Sequence, residues 1–496
     1  MDEQNKAYDR ILKYTGVFGG TQGLMTIMAI LRTKLVTWLI GPAGMGINGA
    51  FNRTLNLVKS TTDLGIQFSA VRDISECVEE NNREKLDTTL LVVRSWAFLT
   101  AILGVIVCLF MSHLFSLWGF GGDKNYTLSF LLLSPVVGFS AINGGEIAII
   151  KGARMLRQMA YSQLLAVLAG LIISVPLFYF FGLLGLVPSL ILVSLSSMLV
   201  TCYYSFKAFP YKIAIFSKNA LGQGLEMIKV GIFFTLASFF GAGAYSIITN
   251  HLMNSGAEIT GLYEAGNLLV SYLGLFVFSA MEADYYPRLS SVNQIRSRVN
   301  ELANQQIEVA SLLISPLITA FIIGLPVLVV VFLTPKFSES IIIAQFAVIG
   351  LSFKAMTQPI AYISLAKADS KTFLLQELFY DAFLVVAVLL AFRLGGLDWT
   401  GYALALAGLF DWIIVLCITQ SRYGFVLSKR ALKVFLLQAP FIAAALVVTF
   451  RMEGWWYWIA GCLVVISSSA ISFHYLRKNT TLIDRLRDKI KRRFKL

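Results

Sequence analysis

Long apolar runs occupy most of the 496-residue chain, and they limit its fold more than any other feature. A helix needs about 20 mostly apolar residues to cross a bilayer. Fourteen stretches meet this requirement, at residues 17–40, 45–70, 89–117, 128–150, 159–181, 185–205, 229–250, 259–285, 304–333, 339–365, 372–394, 397–420, 432–450 and 454–476. Only 14% of the residues are charged, against about 25% in soluble domains. We therefore predict an all-α polytopic membrane protein with about 14 transmembrane helices.

Basic residues in the loops predict the orientation of these helices. With the N-terminus inside, cytoplasmic segments carry 31 of the 41 Lys and Arg residues, and the outer loops carry four. The positive-inside rule therefore places both termini in the cytoplasm. The basic C-terminal residues favour an amphipathic helix on the inner leaflet, with a frayed tail as the alternative. Anionic lipid accounts for the net charge of +13, so no nucleic-acid partner is expected.

Two pairs of segments indicate an internal duplication. The segment at 41–55 matches the one at 256–270 at an offset of 215, and 147–163 matches 360–376 at an offset of 213. Six helices lie within the offset, so the halves share one topology and are related by a pseudo-two-fold axis along the membrane normal. The predicted domains are an N-terminal six-helix lobe (1–205), a cytoplasmic linker (206–228), a C-terminal six-helix lobe (229–420), two additional transmembrane helices (421–478) and a basic amphipathic tail (479–496).

Charged and amide side chains interrupt the first two spans. A helix over the second span places a polar stripe within about 100° of arc, and the stripe consists of Asn48, Asn52, Asn56, Lys59, Asp63 and Gln67, with Arg53 at its edge. Such a stripe must face the bundle interior or water. Arg32 and Lys34 add two cations, and this excess of positive charge indicates an anionic ligand. The alternative is that Lys59 pairs with Asp63 and that Arg32 reaches the outer interface.

The second half is acidic where the first is basic. Its polar candidates within the spans are Glu264, Asn267, Glu377, Asp381 and Asp411. We expect the last three to hold a coupling proton or Na⁺, because intramembrane acids mark ion paths. The alternative is that these acids only hydrogen-bond neighbouring helices. The five cysteines and three histidines show no ligand spacing, so no metal or other cofactor is expected.

Several motifs resemble a known family over residues 10–420. These are GPAGMG (41–46), KGAR (151–154), LTPKF (333–337) and LAKADSKTFLLQE (365–377). They resemble the Wzx-type flippases of the polysaccharide-transport branch of the multidrug/oligosaccharidyl-lipid/polysaccharide (MOP) exporter superfamily. The resemblance implies a V-shaped MOP fold of two lobes. It also implies movement of undecaprenyl-pyrophosphate-linked oligosaccharide, such as an O-antigen, common-antigen-like or exopolysaccharide unit, to the outer leaflet of a bacterial inner membrane.

The resemblance also implies roles for particular residues. It assigns the pyrophosphate to Lys34 and Arg53, with Arg32 and Lys59 less firmly placed. The remaining polar residues expected to line the cavity are Asn48, Asn52, Asn56, Asp63, Glu264 and Asn267. The two C-terminal helices exceed the twelve-span pattern and leave open a role in lipid-tail binding or partner contact.

Two other functions are compatible with this chain. A drug or cation exporter of the same superfamily would have an acidic, aromatic cavity. A membrane glycosyltransferase, ligase or polymerase would need catalytic groups on an outer loop, but the longest such loop (118–127) has one Asp and no His. We therefore expect a transporter rather than an enzyme. We further expect a monomer that binds lipid-linked glycan and membrane lipids and works beside a polysaccharide polymerase and chain-length proteins.

Overall fold

The computed structural model describes residues 2–80, 82–213 and 218–479, and all regular elements in these ranges are helical. The predicted tail beyond residue 479 lies outside the described residues. The helices are α1 (Asp2–Thr62), α2 (Ile66–Glu79), α3 (Arg83–Gly119), α4 (Thr127–Gly152), α5 (Leu156–Phe181), α6 (Leu186–Ala208), α7 (Lys218–Met253), α8 (Ala257–Ser291), α9 (Arg296–Phe332), α10 (Ser340–Ala366), α11 (Ser370–Tyr423), α12 (Lys429–Arg451) and α13 (Gly454–Asn479).

These helices account for the fourteen predicted spans because α1 and α11 are kinked. The backbone leaves the helical conformation at Gly41 (φ 66°) and Gly396 (φ 73°), so each helix provides two segments. In the described ranges, nine stretches are long and apolar enough to cross a membrane. Two of them have 52 and 54 residues, enough for two crossings each at about 1.5 Å per residue. The prediction of an all-α polytopic membrane protein is confirmed.

The second predicted span is broken near its C-terminal end. α1 ends at Thr62, and Leu64 and Gly65 adopt left-handed conformations before α2 begins. The backbone of Gly65 lies directly against that of Gly231 in α7. A Cβ on either glycine would come within 2.6 Å of the other's carbonyl oxygen, so this crossing requires glycine at both positions. The prediction of one continuous helical stripe is therefore wrong beyond Thr62, because Asp63 lies in the turn and Gln67 in α2.

Chain reversals recur with the predicted period of the duplication. Positive φ angles occur at Gly41 and Gly256, which are 215 positions apart, and at Gly182 and Gly396, which are 214 apart. Residues other than glycine rarely adopt positive φ angles. The repeated glycines therefore maintain the same turns in both halves. These turns agree with a duplicated topology.

The turns after α4 and α10 are a further repeated pair. Arg154 and Ala368 are 214 positions apart, and both adopt the left-handed conformation (φ 57° and 55°). In the first turn the amide of Met155 donates to the carbonyl of Ile150 at 3.0 Å. In the second, the amide of Asp369 donates to the carbonyl of Ser364 at 2.9 Å. In the second turn Asp369 also caps α11, where its Oδ1 accepts from the amide of Thr372 at 3.1 Å. The repeat therefore extends to backbone hydrogen bonding.

The chain packs into two compact units. Unit 1 comprises residues 1–262 with 331–336, and unit 2 comprises residues 263–330 with 337–496. By this packing α7 belongs to unit 1, whereas the sequence placed it in the C-terminal lobe. The proposed domain boundaries remain a prediction.

An aromatic core in unit 1 determines which face of α1 is buried. The Phe51 ring lies 5.0 Å from Phe120 and 5.3 Å from Phe130, and Phe120 stacks on Tyr126 at 3.9 Å. Leu55 and Val58 extend this buried face along α1. The expected apolar side of the second span is thus packed against α3 and α4.

Candidate functional site

The polar stripe of α1 lies on the side away from the aromatic core. Asn48 and Asn52 are half-buried, and Asn56 is exposed. The Asn52 amide donates to the Asn48 carbonyl at 2.8 Å. Its counterpart in the repeat, Asn267, donates in the same way to the Tyr263 carbonyl at 3.2 Å. The stripe over residues 48–59 is therefore presented as the sequence predicts, although its role in binding remains a prediction.

Arg53 lies at the edge of this stripe, against α7. Its guanidinium carbon is 4.8 Å from the centroid of the Tyr245 ring, which is a cation–π arrangement. The Arg53 carbonyl accepts from the Ser246 hydroxyl at 3.0 Å, which fixes the two helices side by side. Stacking restricts the plane of the guanidinium, and a planar guanidinium is the side chain best suited to bind two phosphate oxygens at once.

Lys59 and Asp63 lie where α1 ends. Asp63 interacts electrostatically with Lys59, four residues earlier, and the alternative of a local ion pair stays a prediction. Gln67, in α2, packs on Gly144 of α4, where an added Cβ would lie 2.0 Å from its Nε2. The Gln67 side chain also interacts with the Asp63 carboxylate.

The two cations of the first limb of α1 lie on different sides of the helix. Arg32 and Lys34 are both half-buried. Side chains two positions apart on a helix point about 200° away from each other around its axis. The Arg32 Nε donates to the Ser174 hydroxyl in α5 at 3.2 Å, and Gly170 leaves room for the guanidinium. Arg32 is therefore directed to α5 rather than to the stripe that carries Arg53.

A buried ion pair in unit 1 was assigned no role from the sequence. Arg94 and Glu146 are 3% and 2% exposed, and two hydrogen bonds of 2.9 and 3.2 Å join them. Arg94 also donates to Ser205 and to the carbonyls of Phe209 and Pro210. The pair ties residues 209 and 210, which follow α6, to α3 and α4, and this is a structural role. The partners are 52 residues apart, so no local pattern could indicate them.

The three acids predicted to hold a coupling ion converge within unit 2. Asp381 is 5% exposed, and its Oδ2 has no hydrogen-bond partner. Glu377 interacts electrostatically with both Asp381 and Asp411. Lys354 of α10, which sequence reasoning left without a role, interacts with Glu377 and Asp411. The described residues contain no group of His, Cys, Asp and Glu arranged to hold a metal ion.

Comparisons with known proteins identify the family and the fold. The sequence model of a family described as "Polysaccharide biosynthesis protein" matches residues 35–342. A lipid II flippase, MurJ, in an inward closed conformation is similar with a TM-score of 0.69 and 15% identity, over 93% of this chain and 99% of that one. An inward-facing multidrug resistance MATE transporter of the MOP superfamily has a TM-score of 0.62 and 14% identity, over 81% and 94%.

A mutant of the Vibrio cholerae MATE transporter VcmN is also similar, with a TM-score of 0.57 and 13% identity over 85% of this chain and 100% of that one. No curated protein matches the chain in sequence. At these identities the structural likenesses establish the MOP fold. Together with the family match, they confirm the predicted resemblance.

Proposed function

The chain belongs to the polysaccharide biosynthesis protein family, and from that premise we propose that it moves undecaprenyl-pyrophosphate-linked oligosaccharide from the cytoplasmic to the outer leaflet by alternating access. It is a multi-pass membrane protein with the fold of MOP transporters. Family and fold are those of transporters rather than catalysts. The lipid-linked substrate and the direction of movement are the proposal.

The observation that carries this proposal is the position of Arg53. The residue is half-buried within the second predicted span, and its guanidinium lies over the Tyr245 ring beside a row of asparagines. A diphosphate cannot leave water without replacement partners, because an isolated buried charge is very costly. Charge-assisted hydrogen bonds from Arg, supported by Lys34 and Lys59, would provide such partners. Neutral asparagine amides would serve the sugar hydroxyls.

The acidic cluster of unit 2 supports ion coupling in the same cycle. Asp381 is buried with an unpartnered oxygen and interacts with the carboxylates of Glu377 and Asp411, and Lys354 interacts with the latter two. Binding of a proton or Na⁺ would relieve the repulsion among the carboxylates. A bound cation that favours one orientation of the transporter would shift the population towards it. Anion binding and ion coupling are thus assigned to different residues.

A leaflet-accessibility assay tests the proposed function. Proteoliposomes would contain the full chain and a fluorescent undecaprenyl-pyrophosphate-linked oligosaccharide, with a membrane-impermeant quencher outside. We expect the protein to increase the rate at which labelled lipid changes leaflet, relative to liposomes without protein. Movement of an organic cation in place of the lipid would instead identify a drug exporter, as the MATE-like fold and the acidic cluster would allow. Movement of neither would contradict the proposal.

The same proposal extends to location and partners. We place the protein in a bacterial inner membrane with both termini cytoplasmic, as a monomer. Its product would be consumed by a polysaccharide polymerase with chain-length proteins. The basic loops support this orientation.

A further inference from the structure

Unit 2 contains a cavity of about 800 Å³ at one end of α12 and α13, beside α9 and α10. The residues that define its chemistry are Gln345, Phe450, Glu453, Trp455, Tyr457 and Trp458. The connection between α12 and α13 lies in its wall. Because both helices are long enough to cross a membrane, this connection lies at the level of the lipid headgroups. Trp455 is 83% exposed there, as is typical of an interfacial aromatic belt.

Contacts behind the cavity hold its walls in place. The Tyr457 hydroxyl donates to the Ile323 carbonyl in α9 at 2.6 Å. Trp458 lies edge-on to Tyr457 with ring centroids 5.0 Å apart. On the other side, Phe450 stacks at 5.8 Å on Phe346 of α10. The cavity is therefore preformed, and its size is within the range of about 300–1,000 Å³ typical of small-molecule sites.

Gln345 supplies an unused hydrogen-bond donor at this cavity. The residue is 1% exposed, yet its amide Nε2 has no hydrogen-bond partner. An unmade hydrogen bond of a buried donor is costly, and few such groups occur in native proteins. Since Gln345 lines the cavity, an acceptor on a ligand would satisfy it. Glu453 adds a carboxylate to the same lining.

We propose that this cavity binds the headgroup of a phospholipid that carries an ammonium group. The ammonium would lie against the aromatic faces and the Glu453 carboxylate, since aromatic cages recognise such cations. A phosphate oxygen of the same headgroup would accept from the Gln345 amide. The acyl chains would follow the exposed apolar surface of α13, where Leu463 and Ile466 face outward. A hydrocarbon tail alone would leave the Gln345 donor unsatisfied, and an anionic headgroup would lack a partner for Glu453.

Native mass spectrometry of the delipidated full chain tests this proposal. The protein would be offered equimolar phosphatidylethanolamine and phosphatidylglycerol with identical acyl chains. We expect phosphatidylethanolamine to be retained about threefold or more over phosphatidylglycerol, the selectivity that a cation–π contact provides. Glu453→Gln and Trp455→Ala should remove this preference. Gln345→Leu should lower retention of both lipids, because both carry a phosphate.

Glu339→Gln is the matched control, since Glu339 is an exposed acid at the start of α10 that does not line the cavity. It should retain the wild-type preference. Trp455 is so exposed that its truncation leaves the packing intact, so a folding defect cannot imitate the result. Equal retention of the two lipids by the wild type would overturn the proposal. Displacement of the lipid by a soluble oligosaccharide would also overturn it and assign the cavity to glycan.

Discussion

Replacement of Arg53 by alanine should abolish most lipid flipping while the protein still inserts and folds. The guanidinium lies over Tyr245 at 4.8 Å and is half-buried. Two charge-assisted hydrogen bonds to a diphosphate, at about 1.5–3 kcal/mol each, would together contribute about 3–6 kcal/mol. Each 1.36 kcal/mol is about tenfold in rate, so this free energy corresponds to a loss of about 10²–10⁴-fold. Because water competes at a half-buried site, we expect the lower end, about a hundredfold.

The leaflet-accessibility assay measures this loss, and three further variants separate its causes. Arg53→Lys keeps the charge but not the planar pair of donors, so it should retain part of the activity. Tyr245→Leu removes the aromatic partner of the guanidinium, worth about 0.5–2 kcal/mol, and should cost about two- to thirtyfold. Arg32→Ala should have a smaller effect than Arg53→Ala, because Arg32 is directed to Ser174 in α5.

The decisive variant combines Arg53→Ala with Lys34→Ala. If this double variant flips lipid at nearly the wild-type rate, the membrane-embedded cations serve packing or topology and the reasoning is refuted. A normal thermal melting curve for each variant is required as the control for folding. A variant that fails to fold would be replaced by Arg53→Gln, which keeps polarity and approximate size.

Three other residues or pairs and the topology give further expected outcomes. Asp381→Asn should lower transport driven by an ion gradient more than it lowers substrate binding; indifference to gradients and to this change would make the acid structural. Arg94→Ala should cost about 3–5 kcal/mol of stability by leaving Glu146 buried and unpaired, measured by thermal unfolding. Burial would raise the pKa of Asp369, but four hydrogen-bond donors outweigh it and lower the pKa to about 2. Its stabilisation should therefore be complete above about pH 4 and be lost as the pH falls towards 2, a decline in melting temperature that Asp369→Asn should reduce. A cysteine at Lys212 should resist impermeant maleimide in intact cells and react in inverted vesicles; the reverse would invert the topology.

The membrane-crossing segments and the two faces of α1 were predictable because both depend on local patterns. A run of about 20 apolar residues must be helical in lipid, where no water can satisfy the backbone. The 3.6-residue period then separates Phe51 from Asn52 and Asn56. The break after Thr62 was not predictable in this way. It accompanies the close crossing of Gly65 with Gly231, which lies 166 positions away, and no local pattern records that contact.

The same distinction applies to the charged residues. Glu377 and Asp381 are one turn apart, so their shared face could be predicted from spacing alone. Lys354 joins them only because α10 packs beside α11, and Arg94 finds Glu146 only because α3 packs beside α4. A membrane-embedded charge indicates that a partner or a ligand exists. Which of the two it has depends on tertiary packing.

The duplication shows how the two halves of the chain diverged. The backbone turns recur at offsets of 214 and 215, whereas the charges of the second span do not. At the position equivalent to Asp63, the second half has Phe278, and the ammonium of Lys354 lies 5.7 Å from its ring. Only residues that tolerate a positive φ angle can occupy these turns. The residue type at a polar position in a helix can instead change when the bound ligand changes. The divergence therefore favours separate ionic tasks for the two halves, and removal of the Asp381 charge should leave anion binding at Arg53 intact.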